Sequence, residues 1–482
     1  MDQVSSPINA ICPPARRVFC NRTLNLRAIK AIGYDMDYTL IHYRVDAWER
    51  RVFAHLQRKL SARGWPVDDL SFLPETVVRG LIVDTECGNI LKANRFGYVK
   101  RAAHGTQQMS FDNQRDIYSR AGVDLAESRY KFLNTLFSMA EACMYLQLVD
   151  KLDAGTLGEA IGYADLYDIV RASVDEAHME GELKAEIIAS PEQFVELDAQ
   201  TPITLLDQKQ AGKKLLLITN SEWSYTSEIM TYAFDAFLPP SVTWRDLFDI
   251  VIVAARKPDF FTTSNPFFAV VDETGLLRPT VGAIKHGIYL GGNARGLESY
   301  LELSGDEILY VGDHLYTDVH ISKSVLRWRT ALGLRELEAD IEAATTFADS
   351  LVQLETLMQQ KEVLEGQLAL TRLQQQRLRY NAQKDVAGEK KLDRAMQGIK
   401  EEITRLDEKI TPLAMASGQL SNGLWGSLMR TGSDKSHLAR QVERYADIYM
   451  SRVSNMQTIT PFAFLRGARG TLPHDAAALS TI

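Results

Sequence analysis

The chain has 482 residues, 45% of them apolar and 24% charged, with a net charge of −8. That length exceeds one compact core, so two or three domains are expected, and the mixture excludes wholesale disorder. The acidic balance excludes a protein that coats nucleic acid through a basic face, while a local positive site for a small anion remains compatible with it.

In chain order, the first residues, MDQVSSPINAICPPARR, lack the apolar run of a secretory signal. No later run approaches the roughly 20 apolar residues of a membrane span. Cys12, Cys20, Cys87 and Cys143 form no C-x-x-C pair, which implies neither zinc nor a disulfide framework and suits a reducing compartment. A cytoplasmic protein with no membrane and no nucleic-acid partner is expected.

Four segments read as short apolar strands that stop at polar residues: IKAIGYDMD (29–37), KKLLLITNS (213–221), FDIVIVAARKP (248–258) and EILYVGDHLYTD (307–318). Continuous apolar runs imply strands buried on both faces, hence an α/β fold with a parallel sheet covered by helices. Helical patterns such as Tyr225 to Phe237 supply the crossovers. Ligands of such sheets bind beyond the carboxyl ends of the strands, where all four polar clusters fall. The 175 or so residues between the first two strands are too many for a loop and read as a helix-rich inserted domain, placed to act as a lid. From about 346 to 412 the composition shifts to Gln, Leu, Lys and Glu. Leu392, Met396, Ile399, Ile403, Leu406, Ile410 and Leu413 repeat at heptad spacing. An antiparallel hairpin turning at KDVAGEKK follows, serving either plain helical packing or self-association.

Asp35 and Asp37, one residue apart, repel each other unless something positive intervenes. A divalent cation with hard oxygen ligands removes the conflict, and the absence of nearby His or Cys favours Mg²⁺ over Zn²⁺. A D-x-D pair alone is more often loop decoration. Asp313 and Asp318, Lys257, Thr219 and Asn220 stand at the other strand ends. Carboxylates, a lysine, a hydroxyl and an amide together suit phosphoryl transfer, in which one carboxylate attacks phosphorus.

DMDYT, the TN after a strand, the later lysine and GDHLYTD resemble, in the right order, the four motifs of the haloacid dehalogenase (HAD) phosphatase superfamily. ITNSEWSYTSEIMTYAFD, ARKPDFF, KHGIYLGG, YVGDHLYTDV and RYADIY further resemble its cytosolic purine 5′-nucleotidases, the IMP/GMP-preferring branch, over about residues 17–345 and 416–470. The resemblance implies a HAD-type, Rossmann-like core from 1–45 and 200–345. It also implies a large helix-rich cap at 46–199, the hairpin insertion at 346–412, and a segment at 413–482 that returns to the core and effector region.

Carried over residue by residue, the resemblance makes Asp35 the nucleophile. Asp37 becomes the acid for the leaving 5′-oxygen and then the base for water, its backbone carbonyl facing the metal. Asp35 and Asp313 hold Mg²⁺, with Asp318 in support, and Thr219, Asn220 and Lys257 hold the phosphoryl group. The segment LYDIVRASVDEAHMEGELK puts Arg171, Asp175 and His178 on one helical face. An ordinary surface ion pair is the bland account of Arg171 and Asp175. By resemblance they read a 6-oxopurine, Arg171 donating to the oxo group and Asp175 accepting from a ring N–H, which leaves both unpaired on adenine. Phe137 stacks on the base or belongs to the core. Lys184 and His178 reach ribose or phosphate, and Ser221 touches ribose or caps a helix.

Asn134, Tyr316, Gln441, Arg444 and Tyr445 match an effector site for a nucleotide such as GTP or ATP, although Asp124 stands where a basic residue is expected. The family associates as homo-oligomers, in tetramers. The implied activity is Mg²⁺-dependent hydrolysis of IMP and GMP, with possible transfer of the phosphoryl group to a nucleoside. Two other readings are a HAD phosphatase acting on another phosphomonoester and a catalytically silent scaffold that presents its hairpin.

Overall fold

A computed structural model describes residues 12–158, 160–179, 181–280, 284–380, 386–468 and 470, without the side chains of 178 and 179. They fall into two compact units. One runs up to Glu338 and resumes at Leu428; the other is Ala339–Ser427.

The first unit is built on a ten-stranded sheet of β1 (Val18–Cys20), β2 (Ala31–Tyr34), β3 (Lys214–Ile218), β4 (Ile250–Val253), β5 (Phe267–Val270), β6 (Leu277–Pro279), β7 (Gly287–Gly291), β8 (Ile308–Gly312), β9 (Arg329–Gly333) and β10 (Ile448–Met450). The spatial order is β1-β10-β9-β8-β2-β3-β4-β7-β5-β6. From β10 to β7 every neighbouring pair is parallel. β1, β5 and β6 add antiparallel edges. The fold is α/β with a parallel-rich sheet, as the four apolar runs imply.

Those runs became β2, β3, β4 and β8, and they are the four adjacent central strands. β2, β4 and β8 are buried along their whole length. Their ends are level, with Tyr34 opposite both Leu217 and Val311, and Ile218 opposite Ile252. Residues just past Tyr34, Ile218, Val253 and Gly312 therefore meet at one rim. Beneath it, Tyr310, Trp328, Phe260 and Phe261 pack with the strand side chains. Gly33 allows this packing, because a Cβ there would lie 2.9 Å from the Tyr310 ring.

The segment between β2 and β3 contains α1 (Val45–Ala62), α2 (Met139–Asp153), α3 (Tyr163–Met179) and α4 (Glu182–Ala189). The first three pack on one another. The expectation of a helix-rich insert needs one correction. The segment also forms a five-stranded antiparallel sheet from Ile82–Asp84, Asn89–Ala93, Val99–His104, Gln107–Gln108 and Tyr130–Phe132. Its strands are short, and VKRAAH shows no strict alternation of apolar and polar residues, so period-two patterning could not reveal them. The helix after β3 is α5 (Trp223–Phe234), two residues earlier than expected and closing in a 3₁₀ turn at Asp235–Phe237.

The second unit carries α6 (Ala348–Tyr380) and α7 (Val386–Gly418). Lys361 with Asp407, Gln375 with Asp393 and Arg379 with Glu389 bond side chain to side chain, with partner numbers that fall as α6 advances. The two helices are therefore antiparallel. All seven heptad residues of α7 are buried or half-buried, while the helix is otherwise mostly exposed. The expected turn is helical from Val386 onward, and residues 381–385 lie outside the described residues. The chain then returns to the first unit through α8 (His437–Tyr445) and β10. Among the described residues no helix is long and apolar enough to cross a membrane.

Gly33→Val is expected to lower stability by about 1–3 kcal/mol through overpacking against Tyr310. Denaturant unfolding checks this; an unchanged midpoint would contradict the packing.

Candidate active site

Asp35 follows β2 and Asp313 follows β8. Asp318 lies one helical turn further on, within Leu315–His320. All three are buried, and they present carboxylate oxygens within 4.8 Å of one another. At an effective dielectric near 20, each such pair of charges repels by about 3 kcal/mol or more. Lys257 enters between them, its ammonium 2.7 Å from Asp35 Oδ1 and 2.8 Å from Asp318 Oδ1. It also reaches the Tyr310 hydroxyl at 3.2 Å.

Burial pushes the Asp35 carboxyl well above its ordinary range. Lys257 opposes the rise, while Asp318, Asp313 and Asp37 add to it. Burial likewise lifts Asp313 to about 7, against Arg79 and with Asp318. Burial disfavours the Lys257 charge, yet Asp318 and Asp35 outweigh it and hold the ammonium well above its usual range.

Arg79 is a site residue that the sequence did not reveal. Its side chain is 1% exposed and pairs with Glu336 at 3.6 Å. It donates to the backbone carbonyl of Asp313 and to that of Asn134. With Arg79 offset by Glu336, three carboxylates face one ammonium, a shortfall of about two positive charges. A hard divalent cation would supply that charge, and three carboxylate oxygens without nitrogen or sulfur suit it. Asp35, Asp313 and Asp318 are the residues that would hold it.

Asp37 is kept apart from this trio. Tyr43 donates to its Oδ1 at 2.5 Å and Ser221 to its Oδ2 at 2.8 Å, while Tyr43 also meets the Tyr225 hydroxyl at 2.9 Å. Ser221 thus holds Asp37, and the residue capping α5 is Glu222. The Asn220 side chain brackets the Lys257 backbone, accepting its N–H at 2.6 Å and donating to its C=O at 3.3 Å. The Thr219 hydroxyl, fully buried, accepts from the Ser221 N–H. Tyr38, Ala254 and Arg256 take left-handed backbone angles, φ 54°, 44° and 59°. For non-glycine residues this costs on the order of 1–3 kcal/mol each, and all three adjoin the residues just described. Gly312 has no Cβ because Asp318 occupies that space; its side chain would be 2.6 Å away.

A cavity of about 290 Å³ extends from Asp37, Asn220 and Ser221 to Phe137, Arg171, Asp175 and Lys184. Arg171 is fixed by Glu141, fully buried, at 2.7 Å and by Asp175 at 3.2 Å. Tyr167 donates to the other Glu141 oxygen. Lys184 pairs with Glu222 at 2.6 Å above the Tyr225 ring. Phe137 lines the cavity and packs edge-on against Tyr38 and Trp48. The His178 side chain lies outside the described residues.

A second cavity of about 910 Å³ is lined by Asn134, Tyr316, Gln441, Arg444 and Tyr445, together with Asp124, Lys131 and Arg440. Thr135, Arg171 and His314 line both cavities. His314 Nδ1 accepts from the Tyr316 and Thr317 N–H groups, which puts the ring proton on Nε2. Burial holds this imidazole down to about 4, so it is neutral at pH 7. Its position inside GDHLYTD was the only hint the sequence carried.

The family model described as the 5′ nucleotidase family matches residues 18–477. The chain is 28% identical to human 5′-nucleotidase domain-containing protein 2 over 479 residues, covering 95% of this chain and 85% of that one. It is 26% identical over 471 residues to a 5′-nucleotidase domain-containing protein of Dictyostelium discoideum, covering 95% and 74%. A solved haloacid dehalogenase-like family hydrolase from Xanthomonas campestris aligns over 63% of this chain and 82% of its own, at 14% identity and a TM-score of 0.25, too low to carry an argument.

Because folding raises Asp313 from 3.8 to about 7, the metal-free native state holds a proton that the unfolded chain releases. That contribution is complete below about pH 4 and disappears as pH rises through 7. At about 1.4 kcal/mol per unit it amounts to a few kcal/mol. Metal-free protein should therefore melt lower at pH 8 than at pH 5.5, and a divalent cation should raise the midpoint more at pH 8. Thermal melts of wild type and Asp313→Asn check this, the variant showing a flatter response; equal cation effects at both pH values would contradict it.

Proposed function

The chain belongs to the 5′-nucleotidase family, and on that premise we propose that this phosphomonoester hydrolase cleaves 6-oxopurine nucleoside 5′-monophosphates, IMP and GMP, through an aspartyl phosphate with Mg²⁺ as cofactor. The observation that carries the reading is the cluster of Asp35, Asp313 and Asp318 around Lys257, joined through Thr135, which donates to Asp313 Oδ2 at 3.3 Å, to a cavity that Thr135 lines together with Asp37, Arg171 and Asp175.

Mg²⁺, when bound, offsets charge on the carboxylates and on the phosphoryl oxygens. Lys257 adds the remaining positive charge. Asp35 Oδ1 is occupied by Lys257 and by the Met36 N–H at 2.8 Å, which leaves Oδ2 to attack phosphorus. The P–O5′ bond breaks as the Asp35–phosphorus bond forms, and Asp37 gives the leaving oxygen its proton. Asp37 then takes a proton from water, the water oxygen attacks phosphorus, and Asp35 departs as carboxylate. Tyr43 and Ser221 fix Asp37 for both transfers. Asn220 sets the Lys257 backbone, and Thr219 sets the turn before Ser221. A nucleoside hydroxyl in place of water gives phosphotransfer by the same route.

Arg171 donates to the 6-oxo group and Asp175 accepts from a ring N–H, while Phe137 meets the base. His178 and Lys184 serve ribose or phosphate. The larger cavity carries all five of Asn134, Tyr316, Gln441, Arg444 and Tyr445, which supports an effector nucleotide there, GTP or ATP. Four free cysteines suit the reducing cytoplasm.

Phosphate release from IMP, GMP, AMP and sugar phosphates should be fastest with IMP or GMP, stop with EDTA, and vanish in Asp35→Asn protein that still folds. AMP as best substrate, or turnover indifferent to EDTA, would overturn the reading. Arg171→Gln should lower kcat/KM for IMP by roughly 10- to 100-fold, the worth of a charged hydrogen bond, and should affect AMP less.

A further inference from the structure

The seam between α6 and α7 takes one face of α6. A second heptad stripe runs along the opposite face: Val352, Thr356, Gln359, Val363, Gly366, Leu370, Leu373, Arg377 and Tyr380, spaced alternately by four and three. Every one of them is exposed. Six large apolar residues of α6 are strongly exposed, Val352, Met358, Val363, Leu370, Leu373 and Tyr380, and all except Met358 fall on this stripe. Chance scatter on a solvated helix face would not align them.

The helix is also polarised. Residues 348–365 carry Asp349, Glu355, Glu362 and Glu365 against Lys361, a net charge of −3. Residues 366–380 carry Arg372, Arg377 and Arg379 with no acid, a net charge of +3. α7 does not compensate, since each of its halves contains equal numbers of acidic and basic residues. Gly366 sits where the sign changes, on the stripe. A Cβ there would meet nothing within 4 Å, so among the described residues no contact calls for glycine, which weakens a helix interior.

We propose that the stripe on α6 docks the same helix of a second copy of this chain, antiparallel, with the two-fold axis passing near Gly366. That arrangement pairs Val363 with Leu370 of the copy and lays each acidic half along a basic half. It brings Glu355 and Glu362 level with Arg377 and Arg372 of the copy. Opposite charges along the flanks select the antiparallel orientation, because parallel copies would align like with like. Glycine at the axis lets the two backbones approach closely. At about 1.5 Å per residue the stripe is roughly 43 Å long and about one helix diameter wide. Two such faces come to on the order of 1,000 Å², what a specific interface needs. The proposal does not rest on the catalytic reading.

The test uses the full chain. Light scattering after size exclusion gives the mass of wild type and of Val363→Glu/Leu370→Glu, and phosphatase activity serves as the folding control. In parallel, Gly366→Cys is oxidised and its peptides mapped, with Gly398→Cys on α7 as control. The expected result is that the double variant loses half the wild-type mass with activity intact, and that Cys at 366 links to itself across copies while Cys at 398 does not. A monomeric wild type, an unchanged mass in the double variant, or no 366–366 link would overturn the proposal. In the monomeric case the stripe would have to serve a different occupant.

Discussion

Three carboxylates buried around one ammonium set the terms for everything else at the rim of the sheet. Loss of water and the neighbouring carboxylates push Asp35 and Asp313 toward their protonated forms, and Lys257 is the one ammonium within reach of Asp35 and Asp318 among the described residues. The cluster must hold protons or gain about two positive charges. On the proposed mechanism a dication would be what ionises Asp35, the nucleophile. That same dication would then offset the charge of the substrate's phosphate.

The fold delivers this conflict by simple means. Four adjacent parallel strands end level, so residues scattered from position 35 to position 318 arrive within hydrogen-bond range. Gly312 clears room for Asp318, and Asn220 grips the Lys257 backbone. Tyr43 and Ser221 hold the Asp37 carboxylate apart from the trio, which on the proposed mechanism would separate proton transfer from nucleophilic attack although only Met36 lies between the two aspartates. The insert between β2 and β3 brings its own residues to the same place. Arg79 ties the Asn134 and Asp313 carbonyls together, and Arg171, held by buried Glu141, stands on the wall common to both cavities. A ligand in the larger cavity would touch the same side chains that face the smaller one.

What the sequence revealed follows from what is local. Strands buried on both faces are apolar throughout and stop at polar residues, so β2, β3, β4 and β8 and the aspartates after them were legible. The heptad of α7 was legible because its period is written in consecutive residues. Arg79, Tyr225, Glu141 and His314 were not, since each acts through a partner distant in the chain or through a tautomer set by backbone N–H groups, and Tyr43 was not because only the turn after β2 folds its hydroxyl back onto Asp37. The five-stranded sheet was missed because strands of two to six residues with charged faces carry almost no periodic signal. Ser221 was read as a ribose contact or a cap, and only its distance to Asp37 reveals the bond it makes.

The most direct measurement is a crystal structure of the chain grown with Mg²⁺ and beryllium trifluoride, which bonds to a carboxylate as a phosphoryl group does. The account predicts the adduct on Asp35, beside Lys257, with one cation bound by oxygens of Asp35, Asp313 and Asp318. An adduct on Asp37, or a cation bound away from these three carboxylates, would contradict it.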